Sequence, residues 1–261
     1  MRKKRRRFWL SAVASLLLSI SPAVAENTLV QVDLAWKHQR ADLSAGRLSV
    51  TSDLGFEVRL TKAYLTTFAL TLLPCKKQSG SLLRRVGTPV LASLWPVRPA
   101  YAGHGQGLLP TQLRQSVVEN LLSPEPIKLG SFDPPEDNYC QAHYLTGHAI
   151  LRTQNLPRDI QMIGASLYIE GEFKAPGTAA SEPFTIRTME AFGEYTPRRP
   201  SGPRLISKKN SRPARLTLIR NLDTLFDGLD FKSLKKDFWG RHVLRNITGS
   251  LKIEAGPIMP R

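Results

Sequence analysis

The chain is poor in the side chains that most often bind metals or carry out catalysis. Its 261 residues include two cysteines, five histidines and four methionines. Two cysteines without a C-x-x-C spacing are too few for a zinc site made of thiolates alone. The nucleophile elbow, the phosphate-binding glycine loop and the H-E-x-x-H pair are also missing from the sequence. The sequence therefore gives no positive support for an enzyme, and it leaves open catalysis by groups from distant segments.

Long apolar runs are missing everywhere except near the amino terminus. There, the basic block Arg2–Arg7 precedes the mostly apolar run Phe8–Ile20 and a small-residue site at Ala23–Ala25. The apolar run is too short to cross a bilayer, which needs about 20 residues. The three parts together are typical of a secretory signal. We therefore predict that residues 1–25 are cleaved on export to the bacterial periplasm, and that the mature protein has no transmembrane segment.

Negative charge is scarce, with 21 Asp and Glu against 37 Lys and Arg. Six of the positive charges lie in the predicted signal, so the mature chain has 31 Lys and Arg and a net charge of +10 rather than +16. A periplasmic protein meets no DNA, and this charge fits contact with the anionic envelope surface instead. We predict no nucleic acid among its partners.

Much of the mature positive charge is concentrated in residues 197–215, which contain seven Lys and Arg, four prolines and no acidic residue. This composition predicts a solvated loop. Arginines in such a loop are suited to contact phosphate groups of anionic lipid or an acidic partner protein. The loop has no aromatic residues of the kind that stack on bases, which further disfavours nucleic acid.

The two cysteines, Cys75 and Cys140, form an isolated pair. In an oxidising compartment such a pair is most simply a disulfide. The alternative is a pair of thiolate metal ligands, which would need further donors from elsewhere in the chain.

The hydrophobic pattern predicts a single, mainly β domain over residues 26–261. Alternating apolar residues over 56–72 predict a long strand, central in its sheet and ending at Pro74-Cys75, and the clearest strand lies within 161–174. Periodicity is lost over about 76–125, which predicts a long inserted loop with one short helix at 112–122. Helical spacing at 222–229 and 239–247 predicts one or two C-terminal helices, with a final strand after them. We expect an antiparallel β-sandwich.

Histidines are the remaining candidates for metal ligands, because neutral imidazole binds copper and zinc well. His143 and His148 lie five residues apart in one predicted strand, so an unbroken strand would place them on opposite faces unless Gly147 bulges or ends it. His104 lies in a glycine-containing loop, and His38 lies two residues after Trp36. The candidate ligands are therefore His38, His104, His143 and His148, with Met162 as a soft alternative. The alternative for each of these histidines is an ordinary surface or hydrogen-bonded residue.

Several segments together resemble one family of envelope proteins. These are Gly55–Leu65, Thr71–Cys75, Pro99–His104, Leu129–Pro135 leading to Tyr139-Cys140, and Leu225–Phe231. In outline they are similar to the periplasmic MbnP-like proteins, which accompany methanobactin-type copper systems. The resemblance implies a β-rich, non-enzymatic copper-binding protein whose site uses histidines and an oxidised tryptophan. Trp36 and Trp95 are the candidates for that tryptophan, by their proximity to His38 and His104.

The sequence thus supports three hypotheses. The first is a periplasmic metal-binding protein, with copper as the metal, that handles or delivers the ion. The second is an envelope interaction module without a cofactor, which uses the basic loop to contact anionic lipid or a partner protein. The third is an enzyme acting on an envelope substrate, which would require a deep pocket holding a perturbed acid or base.

Overall fold

The computed structural model describes residues 29–44, 46–75, 111–123, 125–133, 138–196, 206–207 and 214–257. The predicted signal at 1–25 therefore lies outside the described residues. In the described part, no helix is long and apolar enough to span a membrane.

The described chain is mainly β. Its strands are β1 Val30–Lys37, β2 Asp42–Ser44, β3 Arg47–Thr51, β4 Glu57–Pro74, β5 Gln112–Leu113, β6 Val117–Asn120, β7 Ile127–Phe132, β8 Asn138–Thr146, β9 Leu167–Lys174, β10 Ser181–Thr188, β11 Phe192–Tyr195, β12 Ile206–Ser207, β13 Ala214–Asn221 and β14 Lys252–Pro257. Two 3₁₀ turns, Leu222–Thr224 and Lys236–Phe238, and one helix, α1 Trp239–Gly249, complete the described elements.

The strands form two sheets. The first sheet has the order β14-β13-β1-β7, in which β1 and β13 are parallel and the other pairs are antiparallel. The second sheet is antiparallel and is built around β4. Along one edge, β4 pairs first with β9 and then with β8. Along its other edge it pairs in turn with β3, β6 and β5. The prediction of a mainly β, sandwich-like fold is confirmed, with one parallel pair in addition.

The strand β4 is as long and as central as its alternating pattern predicted. Its eighteen residues pair with five other strands, and shifts of register between Leu60 and Lys62 and between Thr67 and Ala69 mark bulges. Because bulges bend a strand and increase its twist, one strand can serve two differently oriented halves of a sheet. The described structure therefore has two packed regions along the length of β4.

The first sheet packs on the second half of β4. Buried side chains of β1, β7, β13 and β14 meet Leu70, Leu72, Ala142 and Tyr144 there in one apolar cluster. The first half of β4 instead packs beneath the C-terminal region and α1, in a cluster with six neighbouring aromatic rings. These are Phe56, Phe173, Phe184, Phe226, Phe231 and Trp239.

The helix predicted at 112–122 is wrong. Residues Val117 to Glu119 are all buried and pair with Leu65 to Thr67 of β4. The backbone groups of Val117 and Val118, two β-branched residues, thus form hydrogen bonds with β4. This pairing overrides any local preference for helix. The last part of the loop predicted at about 76–125 therefore belongs to the second sheet. Residues 76–110 of that predicted loop lie outside the described part.

At the carboxyl end, one predicted helix forms and the other does not. Helix α1 spans Trp239–Gly249, and the strand predicted to follow it is β14. Residues 222–229 make only a 3₁₀ turn and further turns, with Gly228 at a φ of +70°. The apolar residues predicted for this helix, including Leu225 and Phe226, are nevertheless fully buried.

Candidate functional site

The predicted disulfide forms between Cys75, directly after β4, and Cys140 in β8. It therefore joins two neighbouring strands of the second sheet, and neither cysteine is free to bind a metal. Of the predicted basic loop at 197–215, the described parts are Ile206–Ser207, which pairs with β8, and the start of β13 at Ala214. The role of that loop remains a prediction.

The predicted histidine ligands do not form one cluster. His143 lies in β8, opposite Tyr195 of β11, and their rings stack with centroids 4.3 Å apart. His148 lies beyond the end of β8 and is exposed, because the strand stops at Thr146, before Gly147. Within the described residues there is no group of three or more His, Cys, Asp and Glu arranged to hold a metal.

The other predicted donors have different positions. Met162 is almost fully buried in a small apolar cluster with Val118 and Ala165, so it is a core residue. His104 and Trp95 lie outside the described residues. The fifth histidine, His242 on α1, is not among the predicted ligands; its Nε2 atom lies 2.8 Å from the carbonyl oxygen of Asp227, which gives it a structural partner.

His143 has the protonation state that a ligand needs. Burial lowers the pKa of its imidazole below the ordinary value, and the nearby Glu194 opposes this effect only in part. A lower pKa leaves the ring neutral at neutral pH, with a lone pair on one nitrogen.

The most elaborate polar arrangement surrounds the end of β1, which we call the β1 corner and define as Trp36–Ala41. The indole N–H of Trp36 donates to a carboxylate oxygen of Glu119 over 3.1 Å. The guanidinium of Arg220 lies over the same indole, 4.2 Å from the ring centroid. The Trp36 ring is therefore held at its edge by an acceptor and at its face by a cation.

Arg220 and Glu119 form an ion pair that lies entirely between the sheets. Their side chains are 0% and 1% exposed, and two hydrogen bonds of 2.7 Å join the guanidinium to both carboxylate oxygens. Burial alone would lower the pKa of Arg220, but Glu119 and then Tyr144 raise it above its usual value. The arginine is therefore charged, and the bidentate geometry is the strong form of this pair.

Two hydroxyl groups complete this network. The hydroxyl of Thr67 donates to Glu119 over 2.6 Å and also lies 2.6 Å from the hydroxyl of Tyr144. Tyr144 in turn accepts a 3.1 Å hydrogen bond from Arg220, and its burial raises its pKa, so the phenol is neutral. Because Thr67, Glu119 and Tyr144 belong to the second sheet, the network joins both sheets.

The turn after β1 is fixed by a second buried carboxylate. Asp223 accepts hydrogen bonds from the backbone N–H groups of Gln39, Arg40 and Ala41 at 2.8–3.0 Å. Burial tends to raise the pKa of Asp223, but these three backbone donors lower it below the ordinary value. The carboxylate is therefore ionised at neutral pH and holds the backbone of the corner in place.

His38 lies between these two anchors. Its side chain is exposed, whereas the chain before it is paired in the sheet through Lys37 and the chain after it is bonded to Asp223. The backbone that carries His38 is therefore fixed before any ligand arrives, which reduces the entropy lost on binding. Among the predicted ligands in the described structure, His38 is thus exposed on a backbone held on both sides, whereas the ring of His143 is stacked on Tyr195.

We expect Asp223→Asn to destabilise the protein by about 2 kcal/mol at pH 7, because hydrogen bonds to a charged acceptor contribute roughly 1.5–3 kcal/mol. A folded-state pKa below the unfolded value stabilises the protein above the unfolded pKa, near 3.9, and this contribution is lost as the pH falls through the folded pKa. Urea unfolding of both proteins from pH 7 to pH 3 checks this. A difference in unfolding free energy that is constant across this range would contradict it.

The residues that support the corner were not predicted from the sequence. Glu119 stands in the segment predicted as a helix, and Arg220 and Asp223 are single charged residues among apolar neighbours. One sequence feature could have indicated these three residues: each charged side chain interrupts a strongly apolar run. Such an interruption is expected only where a buried charge is paired.

No protein-family model matches the chain, and neither a curated protein nor a solved structure is significantly similar to it. The described structure is that of a disulfide-linked, mainly β protein with an exposed histidine, His38, directly after the strand whose end lies beside the buried ion pair.

Proposed function

We propose that this protein is a periplasmic copper-binding protein, and that the β1 corner supplies part of its copper site. The observation that carries the proposal is the exposed His38, held on a fixed backbone two residues after the anchored Trp36. This pairing of a histidine with a tryptophan is what the resemblance to MbnP-like proteins implies for a copper site. The disulfide supports an oxidising compartment.

The donor that the corner offers to copper is a nitrogen atom of the His38 imidazole. An exposed imidazole is a ligand that Cu(II) binds well. Glu119 does not serve as a ligand, because its two oxygens already accept from Arg220, Trp36 and Thr67 and the carboxylate is buried. The role of Glu119 is therefore to position Trp36 and to neutralise Arg220.

A single imidazole does not make a tight site, so further histidines must complete it. His143 has a neutral ring, but it alternates along β8 with Ala142 and Tyr144, which face the first sheet, so its side chain lies on the opposite face of the second sheet. His104 lies outside the described residues, so its part in the site stays a prediction. Variants at all four predicted ligands are therefore needed to assign the set.

We expect the metal-free protein to take up about one copper ion per chain, and His38→Ala to lose it. Copper retained after gel filtration, measured by elemental analysis for alanine variants of His38, His104, His143 and His148, tests this. Gln39→Ala is the matched control, because it changes an exposed neighbour in the same corner and should leave binding intact. Full copper retention in His38→Ala would show that the corner supplies no ligand.

A further inference from the structure

A groove of about 660 Å³ lies beside the β1 corner. It is lined by the residues on either side of His38 and by the ends of β13 and β14, including Lys37, Gln39, Ile219, Asn221, Ser250 and Lys252. Its volume lies within the range of roughly 300–1,000 Å³ typical of small-molecule sites. The groove contains both apolar and polar surface, which is the usual composition of such a site.

The strand register places four of these side chains on one face of the first sheet. Lys37 pairs with Asn221, and Ile219 pairs with Lys252. Register partners point to the same side of a sheet, and so do residues two apart in one strand. Ile219 and Asn221 therefore form a short floor, with one lysine on each side of it.

The spacing of the two lysines follows from the same register. Lys37 is on β1 and Lys252 is on β14, with β13 between them. Two strand spacings amount to about 10 Å, and the pairing is offset by two residues along the strands. The two lysine side chains thus leave the backbone at positions about 10 Å or more apart, so each ammonium group can meet its own carboxylate, which suits a ligand with an acidic group at each end rather than a single anion.

The charges of these lysines are not used within the described structure. Neither Lys37 nor Lys252 has an ion-pair partner among the described residues, whereas Lys62, Lys174 and Lys232 each contact a carboxylate. Arg220 also lines the groove, but Glu119 neutralises it. The remaining charged group in the lining is Glu254, which pairs in register with Thr217 and, two residues after Lys252 in β14, lies on the same face of the sheet as the two lysines.

We propose that this groove binds a small organic dicarboxylate, with one carboxylate on each of Lys37 and Lys252 and the apolar chain of the ligand on Ile219. The site is separate from the copper ligands, since it requires neither His38 nor a metal. Charge-assisted hydrogen bonds to the two ammonium groups give affinity, and the distance between them selects the length of the ligand.

Isothermal titration of the metal-free protein with suberate, an eight-carbon dicarboxylate, tests the proposal. We expect saturable binding at one site, weakened about threefold by Lys37→Gln and by Lys252→Gln, because both lysines are exposed and solvent screens their ion pairs. Lys235→Gln, at an exposed lysine away from the groove, is the control and should bind like wild type. Octanoate, with one carboxylate, should bind more weakly.

Three results would overturn the proposal. They are the lack of saturable suberate binding, equal affinity in both groove variants and wild type, and equal binding of 1,8-diaminooctane, which has the opposite charge. Because the titration contains no copper, its failure would leave the copper proposal untouched. A protein that binds suberate but not copper would support the dicarboxylate proposal and contradict the copper proposal.

Discussion

Glu119→Ala is expected to lower the free energy of unfolding by about 3–5 kcal/mol, because removal of one partner leaves the other charge buried without compensation. Arg220 is completely buried, and Glu119 supplies both of the carboxylate oxygens that its terminal nitrogens contact. The same substitution also removes the acceptors of Trp36 and Thr67. Urea unfolding followed by far-ultraviolet circular dichroism measures the loss.

A double variant separates the charge from the packing. Glu119→Leu combined with Arg220→Met removes both charges while retaining apolar volume, and replacing buried pairs in this way is often neutral or stabilising. We therefore expect the double variant to be more stable than Glu119→Ala. If Glu119→Ala unfolds at the urea concentration of the wild type, the ion pair is not buried as described.

Loss of the disulfide is the second large effect. Cys75 and Cys140 are 65 residues apart, and closing a loop of this length in the unfolded chain contributes roughly 4 kcal/mol in the chain-entropy model. Cys75→Ala combined with Cys140→Ala should lower the free energy of unfolding by up to that amount. The two residues also join the end of β4 to β8, so the ordering of that part of the sheet depends on the same bond.

The matched control for the disulfide is chemical. Reducing agent should destabilise the wild-type protein by about as much as the double alanine substitution, and it should leave the double variant unchanged. Equal stability of the wild-type protein with and without reducing agent would contradict a closed, stabilising disulfide.

Most of the fold was predicted from the alternation of apolar and polar residues along the strands. The pattern over 56–72 predicted β4 because its apolar residues face a packed sheet at nearly every second position, and the isolated cysteine pair predicted the disulfide. The apolar spacing at 222–229 predicted burial correctly but not a helix. There Asn221 caps the amino end of a single 3₁₀ turn, and Gly228 adopts a positive φ, which ends a helix before it can grow.

The candidate site was predicted only in part, because its supporting residues come from distant segments. His38 and Trp36 are close in sequence, so their association was visible. Their anchors, Asp223 and Glu119, are 184 and 83 residues from the groups they bind. No local pattern encodes such contacts, which arise when β1 and β13 pair in parallel and the second sheet closes over them.

Copper content of the exported protein tests the central proposal most directly. The mature protein, purified from the periplasm and incubated with Cu(II), should retain about one copper ion per chain after gel filtration in the presence of a competing chelator. Elemental analysis gives the number. Retention of no copper by the folded wild-type protein would contradict the proposal and would leave His38 as an ordinary surface histidine on a rigid corner.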